Sequence, residues 1–397
     1  MLGGKRSLAS MMTVGLLVLA SMGAMDATVG KPQPPPVNEE KYGTLELSSD
    51  PQIVMSVSTS TGQMVRLYNI EDGKLVHVWS ANMGATWQAS AIGDLDNDGS
   101  KEVVGFASIR TQVSKKVYST SYVTSIWEDG DDSDSPSATY NPGFGAGTVG
   151  YQITDPDNDG KNELVKSGSS SPRFWSYDSS GFTSECVLAD VGTGTWTVAD
   201  ADNDETNELL IGDGDTWDGV GLQRHGLVLE HTDDGYTLAG DLGPDGVSYA
   251  IVHLSVGDLN GDGGNEIFGS GSGDGTVFIW KYDADEKAYK EIWKETFDED
   301  DHYESLIADV NGDGKNEIAF TTLYAGGLIV LKYDGDNEWS ELGEYSGSCG
   351  GRYGTAVGYD VDSDDDTELL IEGMLWDWDG SDMKATRICN AMTASMA

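Results

Sequence analysis

The sequence predicts an all-β fold, a seven-bladed β-propeller built from four-stranded antiparallel blades. Three observations lead to this prediction: six similar acidic segments, a spacing of 45 to 61 residues between them, and strand-like sequence on both sides of each. The 397-residue chain also contains 52 glycines, 17 tyrosines and 11 tryptophans, which is typical of a turn-rich β protein. A disordered acidic chain would have few aromatic residues.

The six acidic segments are predicted to be the turns of β-hairpins between the first and second strands of six blades. Positions 1, 3, 5 and 9 of each are acidic or amide residues, and short stretches of small and β-branched residues precede them. Apolar runs such as residues 317–320 follow. The segments, named loops 1 to 6, are residues 94–102, 155–163, 200–208, 258–266, 309–317 and 360–368.

A seventh unit without an acidic segment is predicted at the start of the propeller. Its strands would be residues 42–50, 52–57, 64–70 and 74–79, and its short turn 48–51 cannot hold a metal ion. The outer strands of the last blade must come either from residues 383–389 or from the N-terminal segment, which would close the ring and remove free sheet edges. The blades are predicted to start near residues 42, 88, 149, 194, 251, 303 and 354.

Alternating oxygen-bearing residues in a tight loop are the ligands that Ca²⁺ prefers, since this cation takes six to eight oxygens. We therefore predict calcium-binding β-hairpin loops that hold up to six Ca²⁺ ions, with the backbone carbonyl of position 7 as a further ligand. The predicted metal ligands are Asp94, Asp96, Asp98, Ser100 and Glu102; Asp155, Asp157, Asp159, Lys161 and Glu163; Asp200, Asp202, Asp204, Thr206 and Glu208; Asp258, Asn260, Asp262, Gly264 and Glu266; Asp309, Asn311, Asp313, Lys315 and Glu317; and Asp360, Asp362, Asp364, Asp366 and Glu368.

Position 6 of these loops is expected to need a positive φ, which glycine adopts without strain. Loops 3 and 6 carry Glu205 and Asp365 there instead, so we expect their sites to be weaker. An EF-hand would need a glutamate at position 12, and no loop has an acid there.

These motifs resemble the FG-GAP (VCBS) repeat propellers, the family that includes the integrin α-chain head and many secreted bacterial and archaeal proteins. The second repeat carries Phe144-Gly145, then the acidic loop 155–163, then residues 168–172 (GSSSP). The resemblance covers about residues 42–390. It implies a seven-bladed propeller with calcium on one face and ligand binding on the other.

The two ends of the chain indicate export. Lys5 and Arg6, the apolar run 11–20 and the small residues after it predict a signal peptide over residues 1–27. A Pro-rich linker over 28–41, the propeller over 42–390 and a C-terminal tail over 391–397 would follow. Since no second apolar run exists, we expect a secreted or cell-surface protein with no membrane insertion after signal cleavage. The disulfide pairing among Cys186, Cys349 and Cys389 stays open.

The charge restricts the partners. The 68 Asp and Glu residues outnumber 23 Lys and Arg, which gives a formal net charge of -45 and disfavours nucleic acid and anionic lipid surfaces. We expect an extracellular protein or glycan ligand.

The function predicted from the sequence is an adhesion or recognition module and not an enzyme, because neither an H-E-x-x-H nor a G-x-S-x-G motif occurs. A polysaccharide lyase or hydrolase built on the propeller is the alternative, and a lectin is the nearer one. Aromatic residues near the face opposite the acidic loops are candidate ligand contacts, with packing between blades as the competing explanation. They are Trp217, Tyr324, Trp376, Trp378, Tyr140, Phe144, Trp196, Tyr249, Tyr303 and Tyr353.

Overall fold

The computed structural model describes residues 41–60, 62–141, 151–166, 173–187, 195–214, 225–243, 250–272, 275–297, 302–322, 327–346, 356–371, 373–389 and 391–397. The predicted signal peptide and almost all of the predicted linker lie outside these ranges and stay predictions. No helix with the length and apolar character of a membrane span occurs in the described part of the chain.

The described residues form seven four-stranded antiparallel sheets, which confirms the predicted number and type of blades. Blade 1 contains β1 (Gln52–Thr59), β2 (Gly62–Ile70), β3 (Leu75–Ala81) and the C-terminal β28 (Ala391–Met396). Blade 2 contains β4 (Trp87–Gly93), β5 (Glu102–Ser114), β6 (Val117–Trp127) and β7 (Ala138–Tyr140). Blade 3 contains β8 (Tyr151–Thr154), β9 (Glu163–Lys166), β10 (Arg173–Asp178) and β11 (Gly181–Val187).

The remaining blades repeat this order. Blade 4 contains β12 (Trp196–Ala199), β13 (Glu208–Gly214), β14 (His225–Thr232) and β15 (Gly235–Asp241). Blade 5 contains β16 (Ala250–Gly257), β17 (Glu266–Ser272), β18 (Thr276–Asp283) and β19 (Ala288–Thr296). Blade 6 contains β20 (His302–Ala308), β21 (Glu317–Thr322), β22 (Gly327–Gly335) and β23 (Glu338–Ser346), and blade 7 contains β24 (Val357–Tyr359), β25 (Glu368–Ile371), β26 (Met374–Trp378) and β27 (Met383–Arg387).

The first strand of each sheet lies at the centre of the ring, where it contacts the first strands of neighbouring blades. We refer to β28, β4, β8, β12, β16, β20 and β24 as the inner strands; in a propeller such strands surround the central channel. Six of them start within three residues of the predicted blade starts.

The core consists of apolar clusters between adjacent blades, because each sheet presents alternate side chains to its two neighbours. Phe106 of blade 2 stacks on Tyr151 of blade 3 with ring centroids 3.7 Å apart. Phe268 of blade 5 meets Phe320 of blade 6 at 5.4 Å. These contacts fix each blade relative to the next.

The C-terminal strand closes the ring, which corrects two predicted boundaries. Ala391–Met396, predicted to be a tail, pairs antiparallel with β1 as the inner strand of blade 1. Residues 42–50, predicted to be the first strand of that blade, form only an isolated bridge at Thr44. The outer strand of blade 7 is Met383–Arg387, one of the two predicted options. Pairing with β28 covers the edge of β1, which would otherwise be open to pairing with another chain.

Proline substitutions in β28 test this closure. Gln52 and Ala397 exchange both backbone hydrogen bonds. Because hydrogen-bonded and non-hydrogen-bonded pairs alternate along antiparallel strands, the Ser395 N–H points at the Val54 carbonyl, whereas the Ala394 N–H points away from β1. Ser395→Pro should lower the free energy of unfolding by about 1–3 kcal/mol, because it leaves the buried Val54 carbonyl without a donor. Ala394→Pro is the matched control and should cost less in a urea titration. Equal losses from both variants would contradict the assigned pairing.

Candidate functional site

The six acidic loops lie on one face of the ring, each directly after an inner strand. In blade 5, for example, β16 ends at Gly257, loop 4 starts at Asp258, and β17 begins at Glu266, the last residue of the loop. The same succession of strand, loop and strand occurs in blades 2 to 7. The predicted hairpin position of every loop is therefore confirmed.

Backbone conformation and hydrogen bonds hold each loop in a tight coil. Position 6 has a positive φ in all six loops, as predicted, and Glu205 (72°) and Asp365 (77°) adopt the same conformation as Gly314 (83°). Position 4 is also left-handed throughout, a feature that the sequence analysis missed. Its residues are Asn97, Asn158, Asn203, Gly261, Gly312 and Ser363, types that tolerate this conformation best or are small.

The first aspartate of a loop accepts hydrogen bonds from backbone N–H groups later in the same loop. Asp258 Oδ1 accepts from Gly261 N at 2.7 Å, and its Oδ2 accepts from Gly263 N at 2.9 Å. Asp262 Oδ1 accepts from Gly264 N at 2.9 Å in turn. These bonds orient the side chains of positions 1 and 5 toward the inside of the coil.

The glutamate at position 9 is buried in every loop, with at most 4% of its surface exposed. One of its oxygens accepts from the backbone N–H of position 2, as in Leu95 N to Glu102 Oε2 at 2.7 Å. Loop 2 is the exception, because its position 2 is Pro156, which has no N–H. Glu163 Oε2 accordingly has no hydrogen-bond partner.

Burial of these glutamates disfavours their charged form. It raises the pKa of Glu102 and Glu208 to about 7, and that of Glu163, Glu317 and Glu368 to about 8, with neighbouring aspartates adding to the effect. A bound cation would reverse this preference. A metal-free loop at neutral pH therefore carries an unfavourable concentration of negative charge.

Carboxylate oxygens converge to within 4.8 Å of one another in four of the loops. The groups are Asp94, Asp96 and Glu102; Asp155, Asp157 and Glu163; Asp200, Asp202 and Glu208; and Asp360, Asp362, Asp364 and Glu368. Asp94 Oδ1, Asp155 Oδ1 and Glu368 Oε1 are buried without a hydrogen-bond partner, as expected of atoms that face a metal ion. The donor sets consist of oxygens alone, and they fit a hard cation such as Ca²⁺.

Loops 4 and 5 differ, because nitrogen donors occupy part of their interior. Asn260 Nδ2 donates to Glu266 Oε1 at 2.7 Å, and Asn311 Nδ2 donates to Glu317 Oε1 at 2.8 Å. In loop 4, Lys281 of β18 also donates to Asp262 Oδ2 and to Glu266 Oε1. Metal binding stays a prediction in all six loops, as does the role of the position-7 carbonyls.

Asparagine side chains connect successive loops into a chain around the face. Asn207 Nδ2 donates to the Asp155 carbonyl at 3.0 Å, while Asn158 Oδ1 accepts from Asn207 N at 2.8 Å and Asn158 Nδ2 donates to the Asn207 carbonyl at 3.0 Å. We name this reciprocal arrangement the asparagine clasp. The bond from the position-8 asparagine Nδ2 to the backbone carbonyl of the first aspartate of the preceding loop recurs three times: from Asn162 to Asp94, from Asn265 to Asp200 and from Asn316 to Asp258.

A second cluster of polar side chains lies between the inner strands of blades 5 and 6. His253 Nδ1 is 3.1 Å from Ser305 Oγ, and Ser255 Oγ is 2.6 Å from the same Ser305 Oγ. Burial lowers the pKa of His253 to about 4, so its imidazole is neutral at pH 7. His253 and Ser255 are half-buried, and Ser305 is 6% exposed. The sequence alone does not reveal this cluster, since its members are about 50 residues apart and meet only through the packing of two blades.

Most of the described candidate ligand-binding aromatics are packing residues. Trp376 is 2% exposed and Trp196 is 3% exposed, each within an apolar cluster, so the competing explanation, packing between blades, holds for both. Tyr140 packs on Tyr177 and Phe182, and Trp378 lies half-buried against the cluster of Trp376. The side chains outside the described residues are those of Trp217, Tyr324, Phe144, Tyr249, Tyr303 and Tyr353.

Comparison with known proteins supports the resemblance predicted from the sequence. Residues 309–371 match the family model of the FG-GAP-like repeat, and this match and the seven four-stranded sheets both support the predicted resemblance to FG-GAP repeat propellers. The matched segment contains loops 5 and 6. A comparison with curated protein sequences finds no match.

Two solved structures share the fold. A protein from Lactobacillus plantarum is 11% identical, with a TM-score of 0.55, over 87% of this chain and 99% of its own. The periplasmic gluconolactonase PpgL of Pseudomonas aeruginosa is 10% identical, with a TM-score of 0.51, over the same shares of the two chains. At this identity the similarity establishes the fold alone. It nevertheless corrects the prediction that the chain is not an enzyme, because that prediction rested on the absence of two sequence motifs, whereas PpgL is by name an enzyme with this fold.

The buried glutamates predict how pH changes the effect of calcium. Their pKa values are higher in the folded protein than the ordinary value of 4.5, so the stability of the metal-free protein should be greatest below about pH 4.5 and should fall as pH rises to 8. Calcium binds the deprotonated form and offsets this loss, by about 2.7 kcal/mol per independent site at a hundredfold excess over Kd. The difference between melting temperatures in calcium and in chelator should therefore widen from pH 5 to pH 8. A difference that is zero throughout would refute metal binding by the loops.

The asparagine clasp predicts a contribution from Asn158 that glycine cannot supply. Asn158 has a φ of 60°, so Asn158→Gly keeps the backbone conformation and removes the two hydrogen bonds to Asn207. We expect a loss of about 1 kcal/mol in urea unfolding. Ser363→Gly changes the same position of loop 6, where no clasp occurs among the described residues, and should be neutral or stabilising. A loss as large in Ser363→Gly would show that the clasp contributes nothing.

Proposed function

We propose that this protein is an exported, calcium-stabilised hydrolase that cleaves an ester or lactone with Ser305 as nucleophile and His253 as general base. The observation that carries the proposal is the 3.1 Å contact between His253 Nδ1 and Ser305 Oγ across the two inner strands. A serine oxygen within hydrogen-bonding distance of a neutral imidazole is the arrangement that nucleophilic acyl transfer requires.

Ser255 supports this assignment because it orients the serine. Ser255 Oγ lies 2.6 Å from Ser305 Oγ and 3.1 Å from the Ser305 carbonyl oxygen. When its one hydrogen goes to the nearer Ser305 Oγ, the Ser305 hydroxyl hydrogen is left to donate to His253 Nδ1, with the imidazole proton on Nε2. The two strands are also irregular here: β16 shifts register between Ile251 and His253, and β20 shifts between His302 and Ser305. Bulges of this kind often direct side chains at active sites.

The proposed reaction uses these groups in two steps. Ser305 Oγ attacks the carbonyl carbon while His253 accepts its proton, and His253 then gives that proton to the departing alkoxide oxygen. In the second step a water molecule attacks the acyl–serine ester, His253 takes the proton of the water, and Ser305 recovers it on release of the acid. The products are one carboxylic acid and one hydroxyl group, which stay in the same molecule when the substrate is a lactone.

Two features favour a neutral sugar-derived substrate. The formal net charge of -45 repels anions, so an uncharged lactone or ester approaches more readily than a phosphorylated one. PpgL, the solved propeller described above, is a gluconolactonase by name, and lactone hydrolysis is the chemistry that a serine–histidine pair serves. Calcium in the loops would supply rigidity and neutralise carboxylates, and it takes no part in the reaction.

Recognition of an extracellular protein or glycan is a second candidate function. The hairpin of β5 and β6 continues past the strand β4 at the face opposite the loops. It exposes Val113 and Tyr118, and Arg110 lies over the Tyr118 ring at 4.1 Å. An exposed aromatic of this kind supports contact with a larger ligand.

Hydrolysis of p-nitrophenyl acetate and of glucono-δ-lactone tests the proposed pair. Ser305→Ala should lower kcat/KM by at least a hundredfold with little change in melting temperature. Ser90→Ala is the matched control, since Ser90 is a buried inner-strand serine that bonds to Ser56 Oγ at 3.0 Å without a histidine. The wild-type rate should rise through pH 4 and then stay level to pH 8, because His253 acts as a base only when neutral. Absence of hydrolysis above background, or full activity in Ser305→Ala, would refute the assignment.

A further inference from the structure

Blades 5 and 7 differ in the residue of the third strand that lies opposite the buried glutamate at position 9. In blade 5 this residue is Lys281, which pairs in register with Glu266. In blade 7, Leu369 pairs with Trp376, and continuing this register by one residue places Asp377 opposite Glu368. The two blades thus place opposite charges at equivalent positions.

In blade 5 the protein supplies its own cation. Lys281 Nζ lies 2.7 Å from Glu266 Oε1 and 2.6 Å from Asp262 Oδ2, and the Glu266 side chain is fully buried. A buried carboxylate is costly unless it is paired, and this ammonium group pairs it.

In blade 7 the corresponding position adds a negative charge instead. Oxygens of Asp366, Glu368 and Asp377 lie within 4.8 Å of one another, although Asp366 and Glu368 are only 6% and 3% exposed. Asp366 Oδ1 and Glu368 Oε1 have no hydrogen-bond partner. Lys384, the lysine of this blade, is engaged by Asp379 and Asp382.

The two acidic groups of this blade overlap at one residue. Glu368 belongs to the loop 6 group with Asp360, Asp362 and Asp364, and also to the group with Asp366 and Asp377. A single divalent ion in the loop would offset only two of these six carboxylate charges. The group formed by Asp366, Glu368 and Asp377 would still contain buried carboxylates that face each other, which is unfavourable in a medium of low dielectric.

We propose that Asp366, Glu368 and Asp377 form a separate site for a hard divalent cation such as Ca²⁺, next to the loop 6 site. The two sites share the Glu368 carboxylate, and Asp366 gives its side chain to the new site, whereas its backbone carbonyl is the predicted loop 6 ligand. Three carboxylates without nitrogen or sulfur donors select a hard cation over a soft one. Asp377 lies outside the nine-residue loop and on a different strand, so the site is additional to the six predicted from the repeat. It does not depend on the proposed hydrolase activity.

Terbium and calcium binding to the whole chain test this site. Asp377 lies between Trp376 and Trp378, so a Tb³⁺ ion bound there should show luminescence excited through tryptophan. Asp377→Asn should lose most of this signal and lower the calcium count in equilibrium dialysis by one. Asp379→Asn is the matched control: it removes the same charge from the same hairpin, and an asparagine oxygen can still accept the Ser381 and Asp382 N–H bonds.

The stability of the variant separates a metal site from a structural role. In chelator, Asp377→Asn should melt at or above the wild-type temperature, because it removes one of the crowded charges, whereas in calcium it should melt below the wild type. An unchanged calcium count would overturn the proposal, and so would a lower affinity without a change in count, since Asp377 would then belong to one enlarged site. An equal loss of calcium in Asp379→Asn would also overturn it.

Discussion

The backbone pairing between β28 and β1 is the interaction on which the rest of the propeller depends. Each blade packs only on its two neighbours, so the ring keeps its geometry only when blade 1 is completed by the C-terminal strand. Both candidate sites are shared between adjacent blades: the asparagine clasps join successive loops, and His253 and Ser305 come from different blades. A strand formed by Ala391–Met396 therefore holds in place groups that are far from it in the sequence.

Charge is the second constraint, and the loops meet it in different ways. A buried glutamate closes every loop, and its carboxylate must be compensated. Backbone N–H groups supply part of the compensation in five loops, and Pro156 removes it in loop 2. Lys281 supplies a cation in loop 4, whereas Asp377 increases the deficit beside loop 6. Repeats that look equivalent in the sequence thus differ in how much negative charge they leave uncompensated.

The loops and the serine–histidine cluster are separate parts of the structure and need different surroundings. The loops lie on one face, where carboxylates can meet cations from solvent. His253 and Ser305 lie within the inner strands, where burial keeps the imidazole neutral. A propeller can meet both demands because its blades are rigid and its inner strands place side chains from different blades side by side. The fold by itself does not distinguish a binding module from an enzyme. The similarity to a gluconolactonase therefore corrects the prediction that the chain is not an enzyme.

The sequence by itself determined the features that depend on local chain geometry. The six acidic segments, their hairpin positions and the left-handed φ at position 6 follow from residues within nine positions of each other, as at Asp309 and Gly314. Only the tertiary structure decided which distant residues meet: β28 pairs with a strand more than 300 residues away, Trp376 enters a core, and Asp377 faces Glu368. The contact between Ser305 and His253 is also decided by the tertiary structure alone, because it depends on how two blades pack. A repeat specifies the conformation of its own blade, whereas packing and register between strands set the neighbours of each side chain.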